Sequence, residues 1–410
     1  MDRLLSFAGV FALVGTVSAC VSRDAVRPDI SGPPSAPAAA ATLAAGIQDV
    51  APYSAVAADD WTALFDRTQG WTGADGVYTI PISGDERRGS GAQGTTLWWF
   101  NDTFIGNVTP QGTRASGSVI VNNTIALLQG DQPDSTRMQF IWSTTANGTP
   151  RARIIPNTSS QHWFWPNDGM VVGTKYVLFS LRMKPGGSPP FAFATDGISI
   201  LSDDVSNPSP FSTYRQAVAP LYLPAAGTKG EVIFGQALMP NTSTAGAPFP
   251  DGFVYIYGLR NDFSKKLLVA RVRPRDIGTF SQYRFWDGSA WVPQIASAVP
   301  LTNRMSSEFS VTPLADGRYL MVFQLDALGA DVAVRYGTSP VGPWGAPIPI
   351  WHCPEITLTP NILVYGAKAH PHLSQPGELL ISYHVNTTVF AEHFQYADIY
   401  RPRFIRLPLP

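Results

Sequence analysis

The chain has 410 residues, a formal net charge of −1 and only 14% charged side chains, so it offers no basic surface of the kind that tracks a phosphate backbone; nucleic acid is excluded as a partner. Aromatic residues make up 11%, Gly and Pro stand at 36 each, and there are 2 cysteines. Short strands and frequent turns are therefore expected, and a disulfide framework is not.

At the N-terminus a short basic start, Met1-Asp2-Arg3, precedes an apolar run from Leu4 to Val17. That run is too short to cross a bilayer and reads as the apolar region of an export signal. It ends Val17-Ser18-Ala19-Cys20, a branched residue, two small residues and a cysteine, which resembles a bacterial lipobox. Residues 1–20 are thus expected to be a lipoprotein signal peptide with Cys20 lipidated, the membrane being engaged through that anchor only. Cleavage after Ala19, giving a secreted protein, is the alternative. Residues 21–58 are rich in Ala, Pro and Ser, carry no usable apolar period and are expected to form a flexible tether. Asn-x-Ser/Thr triplets at Asn101, Asn107, Asn122, Asn147, Asn157, Asn241 and Asn386 read as turn chemistry in a bacterial lipoprotein and as glycan acceptors in a eukaryotic secreted one.

From residue 59 to 410 a single all-β domain is expected, monomeric and with a polysaccharide or oligosaccharide as its partner. Compact β runs recur: Thr96-Leu97-Trp98-Trp99-Phe100, Lys175–Leu181, Gly252–Tyr257, Lys266–Val272, Arg318–Gln324 and Glu378–Tyr383. Each is rich in aromatic and β-branched residues and bounded by turn formers. Polar or acidic residues, Asp75, Asp168, Glu308 and His370, each stand ahead of one such run, with a further group around Phe253. Repetition of this layout predicts a five-bladed β-propeller, in which the residue opening each innermost strand faces a common axis. A six-bladed count and a two-sheet sandwich share the same pattern.

Hydrolysis of a glycosidic bond needs a protonated carboxyl for the leaving oxygen and a carboxylate to activate water or attack the sugar. Acids in apolar or glycine-flanked settings are the candidates, because burial keeps such a proton on near neutral pH. Asp102, after Leu97-Trp98-Trp99-Phe100-Asn101, and Asp75, in Gly73-Ala74-Asp75-Gly76, meet that description. As bland readings, Asp102 is a strand-end cap and Asp75 a turn residue. Asp168 follows Trp163-Phe164-Trp165, where Trp163 and Trp165 suggest sugar-stacking platforms. Glu308 opens a strand of small and apolar residues, and His370 in Ala369-His370-Pro371 suggests a substrate contact. There is no Gly-x-Ser-x-Gly elbow, no His-Glu-x-x-His and no phosphate-binding loop, and the 6 His and 2 Cys lack metal-ligand spacing. No cofactor is expected, a structural metal in a central channel being left open.

Asp75-Gly76-Val77-Tyr78-Thr79-Ile80-Pro81, followed by Thr96-Leu97-Trp98-Trp99-Phe100-Asn101-Asp102-Thr103-Phe104, resembles the opening of a bacterial family of five-bladed propellers, formerly domains of unknown function, that includes endo-D-arabinanases. Phe285-Trp286-Asp287-Gly288-Ser289-Ala290-Trp291, Glu308-Phe309-Ser310-Val311, Ser339–Trp344 and Ala367-Lys368-Ala369-His370-Pro371 extend the resemblance over nearly the whole domain. It implies that Asp75 and Asp102 are an essential acid/base pair acting with inversion on a cell-envelope polysaccharide such as arabinan. Asn101 stands where the family has Gly, and Ser83 to Gly94 is a longer, charged insertion; both put the sugar in question. Glu308 is the rival for the acid, since propeller glycosidases of other families commonly use three carboxylates. A carbohydrate-binding propeller without chemistry is the alternative from a different class.

Overall fold

The computed structural model describes residues 50–158, 161–187, 192–262 and 264–409. The expected signal peptide, Cys20 and most of the expected tether lie outside the described residues. The described part is almost entirely antiparallel sheet.

Four sheets begin with the strands Tyr78–Pro81, Trp163–Val172, Phe309–Pro313 and Ile362–Ala369, and another, third in chain order, is led by Glu231–Asn241 behind a two-residue edge strand. These leading strands pack in series, each against the next. The long hydrophobic runs follow from this arrangement, because each strand is buried on both faces and period-two alternation sends neighbours to different cores. Leu97 and Trp99 join Phe164, Tyr176 and Leu178 of the following sheet. Trp98 and Phe100, between them in sequence, join Leu380 and Phe404 of the last sheet. Likewise Leu320 and Val322 pack toward Val364 and Ile381, while Met321 and Phe323 pack toward Tyr255 and Tyr257. One further cluster joins Phe179 and Ile200 to Phe234 and Ile256. The cores therefore take the sheets pairwise all the way round, a propeller-like arrangement.

Closure joins the chain ends. Val56 pairs with Arg406 and Ala57 with Ile405, so the first strand completes the last sheet. Tyr53 and Ala55 already donate backbone hydrogen bonds to Pro349 and Ile350. The tether expected over 21–58 thus ends several residues early: edge pairing recruits the backbone of Tyr53–Ala57, and needs no apolar period to do so.

Three expectations about the leading strands are corrected. Asp168 does not open its strand but lies inside Trp163–Val172, at a one-residue bulge between Pro166 and Gly169. The third sheet is led by Glu231–Asn241, whereas the sequence pattern began it at Phe253. His370 follows Ile362–Ala369 and caps a short 3-10 turn, so it ends the last leading strand where it was expected to begin it.

Candidate functional site

The first sheet is creased. Gln69–Ala74 leads into Tyr78–Pro81, Thr95–Phe100 into Thr103–Asn107, and Val119–Val121 into Thr124–Gln129, with the breaks at Asp75, at Asn101-Asp102 and at Asn122-Asn123. Backbone hydrogen bonds run across the crease, from Asp75 N–H to Asp102 O at 3.3 Å and from Asn101 N–H to Asp75 O at 2.9 Å. Gly76 makes this approach possible: its φ is +61°, and a Cβ there would lie 2.3 Å from Asn101 Nδ2. Asp75 and Asp102 are consequently side by side, 3% and 1% exposed.

Around the N-terminal ends of the leading strands lies a cavity of about 300 Å³ lined by Asp75, Asn101, Trp165, Asn167, Gln236 and Glu308, among others. Asp102 sits just behind it: Trp165 Nε1 donates to Asp102 Oδ1 at 2.9 Å and Asn122 Nδ2 donates to the same oxygen at 3.3 Å. Both donors converge on one oxygen of the carboxyl, which uses its two acceptor sites. Tyr365 donates to Asp75 Oδ2 at 2.7 Å. Burial first, then the charges of Asp102 and Glu308, push the Asp75 carboxyl well above the usual carboxylate range, outweighing hydrogen bonds from Tyr365 and Tyr400.

Glu308 behaves in the opposite way. Its Oε2 contacts Lys368 Nζ in a pair buried on both sides, with His384 Nε2 at 3.6 Å. Burial alone would raise this carboxyl, but Lys368 and His384 override it and hold it at about 2. Lys368 Nζ also lies 3.7 Å from the centre of the Tyr78 ring, a cation–π contact. Gly366 makes room for the group; its φ is +72°, and a Cβ there would meet His384 Cδ2 at 2.3 Å.

Other expected site residues separate from this centre. Asp168 lines a second cavity of about 350 Å³, toward the C-terminal ends of the leading strands, together with Glu86 and His372. It accepts backbone hydrogen bonds from Leu238 at 2.6 Å and Gly169 at 2.9 Å, while burial pushes it up to about 6. The bulge carries it past the first cavity. Trp163 stands edge-on to Trp165, ring centres 5.9 Å apart, and only Trp165 of the two lines the first cavity. His370 is 1% exposed, with Nδ1 2.7 Å from Thr79 Oγ1, Nε2 2.8 Å from Ser382 Oγ, and its ring stacked on Trp98. Its packing is that of a structural residue, satisfied on both nitrogens and absent from the lining of the first cavity.

Of the triplet asparagines, Asn241 and Asn386 are 2% and 1% exposed, so neither can carry a glycan in the folded protein. Among the described residues no group of three or more His, Cys, Asp or Glu is placed to hold a metal ion.

Four residues around the centre were not singled out from sequence: Tyr365, Lys368, His384 and Tyr400. Lys368 did carry a signal, a lone cation among apolar residues in Ala367-Lys368-Ala369, since a buried Lys requires a partner. Tyr400 carried none; it is buried with a φ of +78°, a costly conformation for a non-glycine residue held where its side chain meets Asp75.

No curated protein matches the chain. Among solved structures, a protein of Bacteroides ovatus ATCC 8483 described as a "putative hydrolase" superposes with a TM-score of 0.67 at 22% identity, over 86% of this chain and 89% of that one. The endo-arabinase of Bacteroides thetaiotaomicron VPI-5482 superposes with a TM-score of 0.40 at 14% identity, over 81% and 96% of the two chains. An α-L-arabinofuranosidase of Clostridium thermocellum ATCC 27405 gives 0.43 at 13% identity, over 80% and 88%. The first of these shares the fold. Residues 58–408 match the profile of one protein family, and the chain therefore belongs to the family described as Domain of unknown function (DUF5005).

Proposed function

We propose that this protein is a glycoside hydrolase, built as a single five-bladed propeller and acting with inversion on a polysaccharide of the cell envelope or its surroundings. The observation that carries the reading is the meeting of two buried carboxyl groups at one cavity with their protonation held apart, Asp75 pushed up and Glu308 held down, with a third, Asp102, immediately behind the lining and facing two donors. Paired acids with divergent environments are what glycosidic cleavage requires. The Bacteroides ovatus neighbour, which shares the fold, carries the description "putative hydrolase".

In this reading Asp75, protonated near neutral pH, gives its proton to the leaving glycosidic oxygen as the anomeric C–O bond breaks. Asp102 is assigned the complementary role, taking a proton from the water that forms the new C–O bond. Glu308 is unsuited to the acid role, because Lys368 keeps it ionised; its charge instead helps retain the proton on Asp75. Trp165 joins the two functions, presenting a ring to the cavity and its Nε1–H to Asp102. The resemblance of the opening motifs favours an arabinan-like substrate, and the lipobox at Cys20 an envelope-anchored, monomeric enzyme.

The test is reducing-sugar release from D-arabinan, L-arabinan, arabinogalactan and other envelope glycans by the protein and its Asp102→Asn variant. Removing a general base lowers turnover by roughly 10²–10⁴-fold. Equal release by both proteins, or binding of a glycan without release, would replace this reading with that of a carbohydrate-binding propeller.

A further inference from the structure

Behind Asp75 runs a chain of buried hydrogen bonds that begins in the last sheet and the C-terminal segment. Asn386 Oδ1 accepts the backbone N–H of Thr387 at 2.7 Å. A backbone N–H can only donate, so this contact fixes which end of the Asn386 amide is oxygen. His393 Nε2, 2.8 Å from the same oxygen, must then also carry a hydrogen. The other end, Asn386 Nδ2, donates to the Tyr365 hydroxyl oxygen at 2.9 Å. With that oxygen already accepting, the Tyr365 proton is directed to Asp75 Oδ2, 2.7 Å away. His393, Asn386, Tyr365 and Asp75 are 0%, 1%, 1% and 3% exposed, so the chain runs through the protein interior to the cavity wall.

Local geometry explains how one strand serves both carboxyls. In Ile362–Ala369 the pairing shifts between Tyr365 and Lys368: three residues advance on this strand while its partner advances two, from His384 to Ser382. The extra residue restores Tyr365 and Lys368 to the same face, one meeting Asp75 and the other Glu308.

We infer that Tyr365 is a positioning residue, oriented by Asn386 and His393, that occupies Asp75 Oδ2 as a fixed donor and thereby leaves the transferable proton on Oδ1. Asp75 Oδ1 makes no hydrogen bond of standard geometry, although the Tyr400 side chain also meets this carboxyl, so Tyr365 is the better-aligned of two tyrosine donors. The inference rests on the proposed hydrolase reading, in which Asp75 is the acid. It also gives Asn386 a role unrelated to glycan attachment: an amide that sets the direction of the whole chain.

The test uses the full-length protein and its Tyr365→Phe and Asn386→Asp variants. Loss of the Tyr365 hydroxyl removes a donor that favours ionised Asp75. The alkaline limb of kcat/KM on the released glycan should then move up by about one pH unit, with kcat falling more than KM changes. The infrared carboxyl band that disappears in Asp75→Asn should titrate with the same upward displacement. This second readout needs no substrate, so it separates the two ideas. An unmoved Asp75 titration in folded Tyr365→Phe overturns the positioning role even if the enzyme is a hydrolase. A displaced titration in a protein that cleaves no glycan upholds the hydrogen-bond chain and removes only the reaction it was assigned to. In Asn386→Asp the new carboxylate accepts from Tyr365 and turns the chain around, so the same upward displacement is expected. Its absence there, with Tyr365→Phe also unmoved, is the clearest refutation.

Discussion

Replacing Lys368 by Met is the sharpest perturbation of the centre. Lys368 and Glu308 are 3% and 5% exposed, and the ammonium contacts the carboxylate directly while lying over the Tyr78 ring. Glu308 is held at about 2 against an ordinary value of 4.5. At about 1.4 kcal/mol per pH unit, that displacement corresponds to roughly 3 kcal/mol. Severing a buried pair and leaving one charge unpartnered costs about 3–5 kcal/mol in general. A folded region near 350 residues has an unfolding entropy of roughly 0.7 kcal/mol/K, and the loss should appear as a fall in Tm of about 5 °C. Urea unfolding at pH 7 of the protein, Lys368→Met, Glu308→Gln and the double variant gives a double-mutant cycle, with a coupling of at least about 2 kcal/mol expected. Because the folded value is depressed, the stabilisation is fully present above 4.5 and is lost as pH falls toward 2, so the gap between the protein and Lys368→Met should close in that window. A Lys368→Met cost below about 1 kcal/mol, or the same cost in the Glu308→Gln background, would refute the pairing as the reason Glu308 stays ionised.

Asp75 should show the reverse pH behaviour. Its folded value is raised, so it favours the native state at low pH and disfavours it progressively as pH rises above the unfolded carboxylate value; Asp75→Asn should be inactive yet more stable than the parent at pH 8, with the advantage shrinking toward pH 4 in thermal melts. Gly366→Ala should destabilise by about 2–5 kcal/mol, combining a left-handed backbone with overpacking against His384 and Glu308, whereas Gly112→Ala, at φ +78° with open space around it, should cost only about 1–2 kcal/mol; equal losses in denaturant titrations would mean the cradle yields easily. Trp165→Phe keeps a ring in the cavity and removes the donor to Asp102, so glycan release should fall at least about tenfold with binding little changed; unchanged turnover would detach Trp165 from the chemistry.

Much of the architecture could be read from the chain because it depends on local rules. Runs such as Leu97-Trp98-Trp99-Phe100 exceed what a one-faced sheet tolerates, and they announce strands buried on both sides before any partner is known. Asp75, Asp102 and Glu308 stood out for the same reason: each is an acid in surroundings too apolar to solvate it, which the Gly73-Ala74-Asp75-Gly76 and strand-end contexts display in sequence. What sequence could not contain was register. A single inserted residue between Pro166 and Gly169 sends Asp168 to a different cavity from Trp165, and the equivalent insertion after Tyr365 brings Tyr365 and Lys368 onto one face. Pairing partners distant in sequence, Tyr365 with Asp75 across 290 residues and Lys368 with Glu308 across 60, are chosen by how the sheets come together in the ring, whose closure depends on how Val56–Ala57 meets the C-terminal strand. Composition and alternation therefore determined which side chains would be buried, but only the tertiary structure decided which buried charges face each other, because burial is a property of each strand and pairing a property of the closed assembly.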